Sequence, residues 1–209
     1  MKPGIYKDMD IDSYHANREI VSSTGLKKAK KSTRSFVHYV IYGTPQKSCF
    51  DFGNAFEIAV MDKVNGTSLF KDECAVSETK KWVEKALEQK PDLKVPANSK
   101  TYREARQKFE MDSMGKYLIS DVGESESKEA LDEMVNSCYH NDTIRKLLEG
   151  TTYQISLVWK DERTGVLCKT RPDVCMTKKR VLVDIKTCKD ASPNGFACDA
   201  ANLDYPLRS

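Results

Sequence analysis

Asp184 and Lys186 stand two residues apart at the end of the apolar run Val181-Leu182-Val183-Asp184-Ile185-Lys186. In an extended segment alternate side chains share a face, so Asp184 and Lys186 point one way and Val183 and Ile185 the other. The preceding segment puts Lys169, Arg171 and Asp173 on one face by the same parity. If the two strands pair through the turn Thr177-Lys178-Lys179-Arg180, Asp173 and Asp184 approach each other. Close carboxylates repel unless a cation lies between them, and hard oxygen donors suit Mg²⁺ or Mn²⁺. A bound divalent ion lowers the pKa of its water and offsets charge on a phosphoryl oxygen, and a neighbouring lysine can orient that water. The chemistry implied is metal-assisted phosphodiester hydrolysis. A lone D-x-K triplet reads more readily as an exposed pair on an edge strand. Here an R-P-D strand, a basic turn and a strand ending in D-I-K-T occur together.

Those strands need a scaffold. From Thr151 the periodicity is two: Ile155, Leu157 and Trp159 alternate, Asp161 to Gly165 form a turn, and Val166 to Val174 are extended. With Val181 to Lys186 this predicts a three-stranded meander. Upstream the pattern is helical. Ser22 or Ser23 is an N-cap for one helix carrying Leu26, Ala29, Phe36 and Val40, ended by Gly43-Thr44-Pro45. A second helix, about Asp51 to Met61, carries Phe52, Phe56, Ala59 and Val60 on one stripe, with Glu57 beside it at the rim of a cleft. Further helices are expected at Thr79–Gln89, Tyr102–Leu118, Lys128–Met134 and Asp142–Leu148, and Ile5 to Ile20 reads as an extended lead-in.

The chain of 209 residues suits a single domain, 1–209: a helical part over about 1–150, then the strand meander over about 151–188. A net charge of +3 neither requires nor excludes a nucleic-acid partner. No apolar run approaches the ~20 residues of a membrane span, and the N-terminus lacks a secretory core, so a cytoplasmic protein is expected. Seven cysteines without a C-x-x-C pair read as reduced structural thiols. Four lie between Cys168 and Cys198, at gaps that match no common zinc or iron–sulfur spacing.

Residues 165–187, G-V-L-C-K-T-R-P-D-V-C-M-T-K-K-R-V-L-V-D-I-K-T, resemble the core of the PD-(D/E)xK nuclease superfamily, and most of all the exonuclease VIII (RecE-type) nucleases of phages and prophages. Gly4-Ile5-Tyr6 with Tyr14-His15, Ser22-Ser23-Thr24-Gly25-Leu26 and Asp51-Phe52-Gly53-Asn54-Ala55-Phe56-Glu57 resemble three further segments of that family. The resemblance implies an α/β (α+β) fold, a restriction-endonuclease-like core with a central mixed sheet flanked by helices. It implies Mg²⁺-dependent digestion of linear double-stranded DNA, 5′ to 3′, in a bacterial host. Its partners would be DNA ends and a single-strand annealing protein, with homo-oligomers possible. Asp173 and Asp184 would be metal ligands, Lys186 the catalytic lysine, and the Ile185 carbonyl a further donor. Glu57 stands where the family has a metal-ligand histidine, and a carboxylate is a competent substitute. Gln154 replaces an acidic residue, and Arg208 stands where a glutamine is expected. The sequence reads as a copy shortened at Tyr205-Pro206-Leu207-Arg208-Ser209, for which an inactive remnant that only binds DNA or a recombination partner is the alternative. A Cas4-like iron–sulfur nuclease is a third reading.

Arg171, Lys178, Lys179 and Arg180 are candidate DNA contacts near the site. The basic run Lys27 to Arg34 reads first as a solvated helix face and second as a strip tracking phosphates. Trp82 and Trp159 read as packing residues, and His15, His38 and His140 have no ligand spacing.

Overall fold

The computed structural model describes residues 1–44, 48–176 and 180–202. The chain forms two compact units, Met1–Pro45 with Thr151–Ser209, and Gln46–Gly150. Both helices and strands are present, and the α+β class holds. The described strands are distributed over three small sheets, where one central sheet was expected.

In the first unit, β1 (Gly4–Tyr6) pairs antiparallel with β5 (Ser156–Lys160), and β5 pairs with β6 (Leu167–Thr170). A second sheet runs β4 (Thr152–Tyr153), β7 (Val174–Met176), β8 (Val181–Val183). The expected extended segment from Val166 to Val174 is therefore broken between β6 and β7. The register is nevertheless the same on both sides: stepping back from Leu157↔Thr170 leads to Tyr153↔Val174. The Gln154 N–H donates to the Asp173 carbonyl at 3.0 Å in that same register. The gap falls where Pro172 faces Ile155, because proline has no N–H to give the ladder. Gln154, at φ +50°, is the second irregularity. In β5 Ser156 and Val158 are the buried residues, while Trp159, expected in the core, is 44% exposed.

The lead-in is not extended throughout. Asp10 caps a short helix, α1 (Ile11–Ala16), by accepting from the Ser13 N–H at 2.7 Å. The single helix expected after Ser22 is two. Ser22 caps α2 (Ser23–Lys31), and Ser32, itself extended, caps α3 (Thr33–Tyr42) through the Ser35 N–H at 3.1 Å. The pair is in contact at Gly25, where a Cβ would stand 3.5 and 3.6 Å from the Tyr39 and Phe36 rings, at ordinary van der Waals distance. Gly43, at φ +77°, ends α3, and the Arg18 guanidinium holds the last carbonyls, Ile41 at 2.8 Å.

The second unit is organised on α4 (Ser48–Asn65), longer at both ends than the stripe alone indicated. Ala55, Phe56, Val60 and Met61 are buried, and α4 packs on α8 (Lys128–His140), α5 (Leu69–Glu73) and β3 (Tyr117–Ile119). The helix expected over Tyr102–Leu118 is instead α7 (Lys100–Asp112); the turn at Gly115, φ +85°, leads into β3. β3 lies parallel to β2 (Cys74–Val76). A parallel pair needs a long crossover, which α6 (Thr79–Gln89) and α7 supply. Trp82 of α6 meets Tyr102 and Phe109 of α7 at 5.7 and 5.6 Å between ring centres. α9 (Asp142–Leu148) closes the unit.

Asp121 ties the start of α6 to the end of β3. It accepts from the Ser77 hydroxyl at 2.7 Å and from the Thr79 and Lys80 N–H groups at 2.7 and 3.1 Å. Burial alone would raise its carboxyl; the hydrogen bonds outweigh that and hold it at about 2. A carboxyl depressed in the folded state adds stability above the unfolded value near 3.8, and that stability is lost as the pH falls toward 2. Urea unfolding of the wild type should therefore weaken between pH 5 and pH 2.5 by roughly 1–2 kcal/mol more than that of Asp121→Asn. Parallel losses in the two proteins would remove Asp121 from this role.

No helix of the described residues is long and apolar enough to cross a membrane.

Candidate functional site

β7 and β8 bring the acidic pair together. The pairing Val174↔Val183 places Asp173 and Asp184 at the next cross-strand position. There the regular ladder stops, and Asp173 takes over: its Oδ2 accepts the Ile185 N–H through a short hydrogen bond. This fixes the chain as it leaves β8 and sets the Lys186 side chain back across the pair. The Lys186 ammonium lies 2.8 Å from Asp184 Oδ1, 2.8 Å from the Ile185 carbonyl and 3.6 Å from Asp173 Oδ2. Three oxygens thus converge on one cation.

The two carboxylates differ in setting. Asp173 follows the buried Pro172, precedes the fully buried Val174 and is 8% exposed, whereas the Asp184 side chain is 44% exposed. One oxygen donor is thus anchored in the fold and the other opens to solvent. Such a set, two carboxylates and a main-chain carbonyl, matches what a hard divalent ion requires, and a cation already occupies its centre. Among the described residues no group of three or more His, Cys, Asp or Glu is arranged to hold a metal. The donor set here counts a carbonyl among its three oxygens.

Arg171 faces away from solvent. Its Nη1 donates to the Met9 carbonyl at 2.7 Å and to the Ser156 hydroxyl at 2.8 Å, and Nη2 to Gln154 Oε1 at 3.3 Å. A guanidinium taken up in this way is a brace for the strand break before Asp173, not an open phosphate contact. Lys169 is buried as well. Its ammonium donates to the carbonyls of Tyr14 and Asn17, the latter at 2.7 Å, and lies 4.4 Å from the centre of the Tyr14 ring. Burial, with Arg18 adding to it, pulls Lys169 down to about 8, and burial pushes the Tyr14 hydroxyl up to about 12. Sequence parity put Lys169 and Arg171 on the face of Asp173 but could not show that α1 covers them.

Arg180 is exposed, with φ +53°. Lys178 and Lys179 lie outside the described residues. Glu57, expected at a rim, is buried within α4 of the second unit. Its charge, after burial itself and Glu73, helps to push the Tyr117 hydroxyl up. Cys74, Cys138, Cys168, Cys175, Cys188 and Cys198 are free thiols.

An antiparallel hairpin carries Asp173 and Asp184 at its ends, with a lysine two residues beyond the second aspartate, which is the order and spacing of a PD-(D/E)xK motif, on an α+β scaffold. The model of a family described as "PDDEXK-like domain of unknown function" (DUF3799) matches residues 22–208, and the chain belongs to that family. No curated protein and no solved structure matches it. Membership points to a nuclease, a hydrolase of the kind that uses divalent metals.

Proposed function

We propose that this chain is a Mg²⁺-dependent deoxyribonuclease, with Mn²⁺ as an alternative ion, that digests linear double-stranded DNA from its ends. The observation that carries the reading is the convergence of Asp173 Oδ2, Asp184 Oδ1 and the Ile185 carbonyl on the Lys186 ammonium. Asp173, Asp184 and the Ile185 carbonyl are the residues that would hold the ion. Bound there, it would lower the pKa of water and offset charge on a phosphoryl oxygen. With the ion on those oxygens, the Lys186 ammonium beside it would orient the attacking water and face the charge that develops on the phosphate. The water oxygen adds to phosphorus, the bridging ester oxygen leaves, and a proton ends on it, giving one phosphate and one hydroxyl terminus. The 5′-to-3′ polarity, the role in phage-type recombination and the hand-over to an annealing protein rest on the resemblance to exonuclease VIII nucleases. So do Glu57 as a further ligand and Lys178, Lys179 and Arg180 as DNA contacts.

The test is a digestion of linear and covalently closed duplex DNA by the purified chain, with Mg²⁺ or with EDTA. Nucleotide release from linear DNA alone, abolished by EDTA, is expected. Release that persists in EDTA would remove the metal from the reading. No release by folded protein would replace it with a chain that only binds DNA or a recombination partner.

A further inference from the structure

The segment from Ile20 to Thr44 holds five cations, Lys27, Lys28, Lys30, Lys31 and Arg34, and no carboxylate. The structure folds it into the hairpin of α2 and α3, with Gly25 against Phe36 and Tyr39 on the inner side. That leaves an outer stripe on α3 with Arg34, Val37, His38, Ile41 and Tyr42, all exposed, at i, i+3, i+4, i+7 and i+8. Tyr42 is 70% exposed, and its ring lies 4.7 Å from that of His38. Lys28, Lys31 and Arg34 make no ion pair among the described residues. The surface is cationic at the turn between the helices and aromatic at the far end of α3.

We infer that the outer face of the α2–α3 hairpin binds single-stranded DNA, with Lys31 and Arg34 on its phosphates and the Tyr42–His38 ring pair stacking on its bases. The cluster of Lys28, Lys31 and Arg34 calls for a polyanion, and exposed ring faces add affinity only where bases are unpaired. Arg34 and Tyr42 are eight residues apart on one helix, about 12 Å, which matches three to four nucleotides at the ~3.4 Å spacing of a stacked strand. Val21, at the root of the hairpin, is bound on both sides to the strand that leads toward Asp173: its N–H donates to the Leu167 carbonyl at 3.0 Å and its carbonyl accepts from the Lys169 N–H at 2.8 Å. The hairpin is thus built on the same unit as the carboxylate pair. The inference rests on the deoxyribonuclease reading for its use, because hydrolysis of one strand of a duplex leaves the other unpaired.

The experiment is fluorescence anisotropy with the full chain in EDTA, using labelled oligothymidylate of about twenty nucleotides, a duplex of equal length, and phosphatidylserine-containing vesicles. The wild type should prefer the single strand to the duplex. Tyr42→Ala should weaken oligothymidylate binding about tenfold without changing its salt dependence, and Tyr42→Phe should restore it. Lys31→Ala with Arg34→Ala should lower the slope of log affinity against log salt by about 1.4. Circular dichroism checks that each variant is folded. Unchanged affinity of folded Tyr42→Ala, equal losses on the duplex, or binding to vesicles alone would each overturn the proposal. The same titrations with Asp184→Ala separate the two readings. Strand binding there with no hydrolysis by the wild type sinks only the nuclease, and hydrolysis without an effect of Tyr42 sinks only the hairpin.

Discussion

Lys186→Met should abolish DNA hydrolysis while divalent-metal binding survives, and Asp184→Ala should abolish both. The difference follows from where each group stands. Asp184 and Asp173 supply oxygens, whereas the ammonium supplies only charge and donors, 2.8 Å from Asp184 and from the Ile185 carbonyl. Loss of one positioned charge or proton-handling group costs on the order of 10²–10⁴ in rate. Without the lysine, the two carboxylates at the end of the hairpin lose the ammonium that now lies between them. Lys186→Met should therefore melt earlier than the wild type in EDTA and recover most of the difference on adding Mg²⁺, since an ion bound only by the folded state stabilises it. Initial rates on end-labelled duplex, calorimetric Mg²⁺ titration and melting with and without EDTA measure all three. Full activity of Lys186→Met would end the assignment of that residue. A Mg²⁺ affinity of Asp184→Ala equal to that of the wild type would move the ion elsewhere.

Lys169→Ala should unfold the first unit more easily than a surface substitution in it. The ammonium fills the donor needs of the Tyr14 and Asn17 carbonyls where α1 meets β6, at 3% exposure. Truncation strands the Tyr14 carbonyl and leaves the Asn17 carbonyl only the Ile20 N–H at 3.3 Å; a buried polar group left unpaired costs about 1–3 kcal/mol, and a lost charged hydrogen bond a comparable amount. A total of about 3 kcal/mol would lower Tm by roughly 6–12 °C in a chain of this size. The same lysine predicts a pH signature. Its value is about 8 in the fold and 10.5 as a free side chain, so the unfolded chain binds more protons between those values. Stability should rise with pH across that window, because the penalty for the buried ammonium is relieved. Lys169→Met should flatten the rise. A Tm of Lys169→Ala within a degree or two of the wild type, or an unchanged pH curve in Lys169→Met, would refute the account.

The parts of the molecule legible in the sequence are those set by local pattern. Parity alone indicates the approach of Asp173, Asp184 and Lys186, because the strands that carry them are neighbours in the chain. α6 and α9 keep the bounds expected for them, Thr79–Gln89 and Asp142–Leu148. The split at Ser32 is harder to read, since a serine inside an apolar stripe looks like a tolerated helix residue until its hydroxyl is seen capping the next helix. Tyr117-Leu118 reads as the end of a helix because the partner of this strand, Cys74–Val76, is distant in sequence and lies parallel to it. The buried face of β5 is illegible for a third reason: the polar Ser156 lies inward, bonded to Arg171, and the aromatic Trp159 outward. Charge, finally, says nothing of burial. Lys169 and Arg171 look like surface cations, yet they serve main-chain carbonyls and uncharged side chains under α1.

The uninterrupted register across Pro172 makes the hairpin a ruler graduated in twos. Its zero is the Asp161–Gly165 turn, closed by the Asp161 carboxylate on the Thr164 N–H at 2.8 Å. Every residue counted from there has its face assigned before the acidic pair is reached. Extra length at the turn itself lies off the scale and leaves the count intact. One residue gained or lost between Thr170 and Asp173 turns the aspartate to the opposite face, whereas two return it to its own. Evolution and protein engineering can therefore edit the tip of this hairpin freely, but its middle only in pairs.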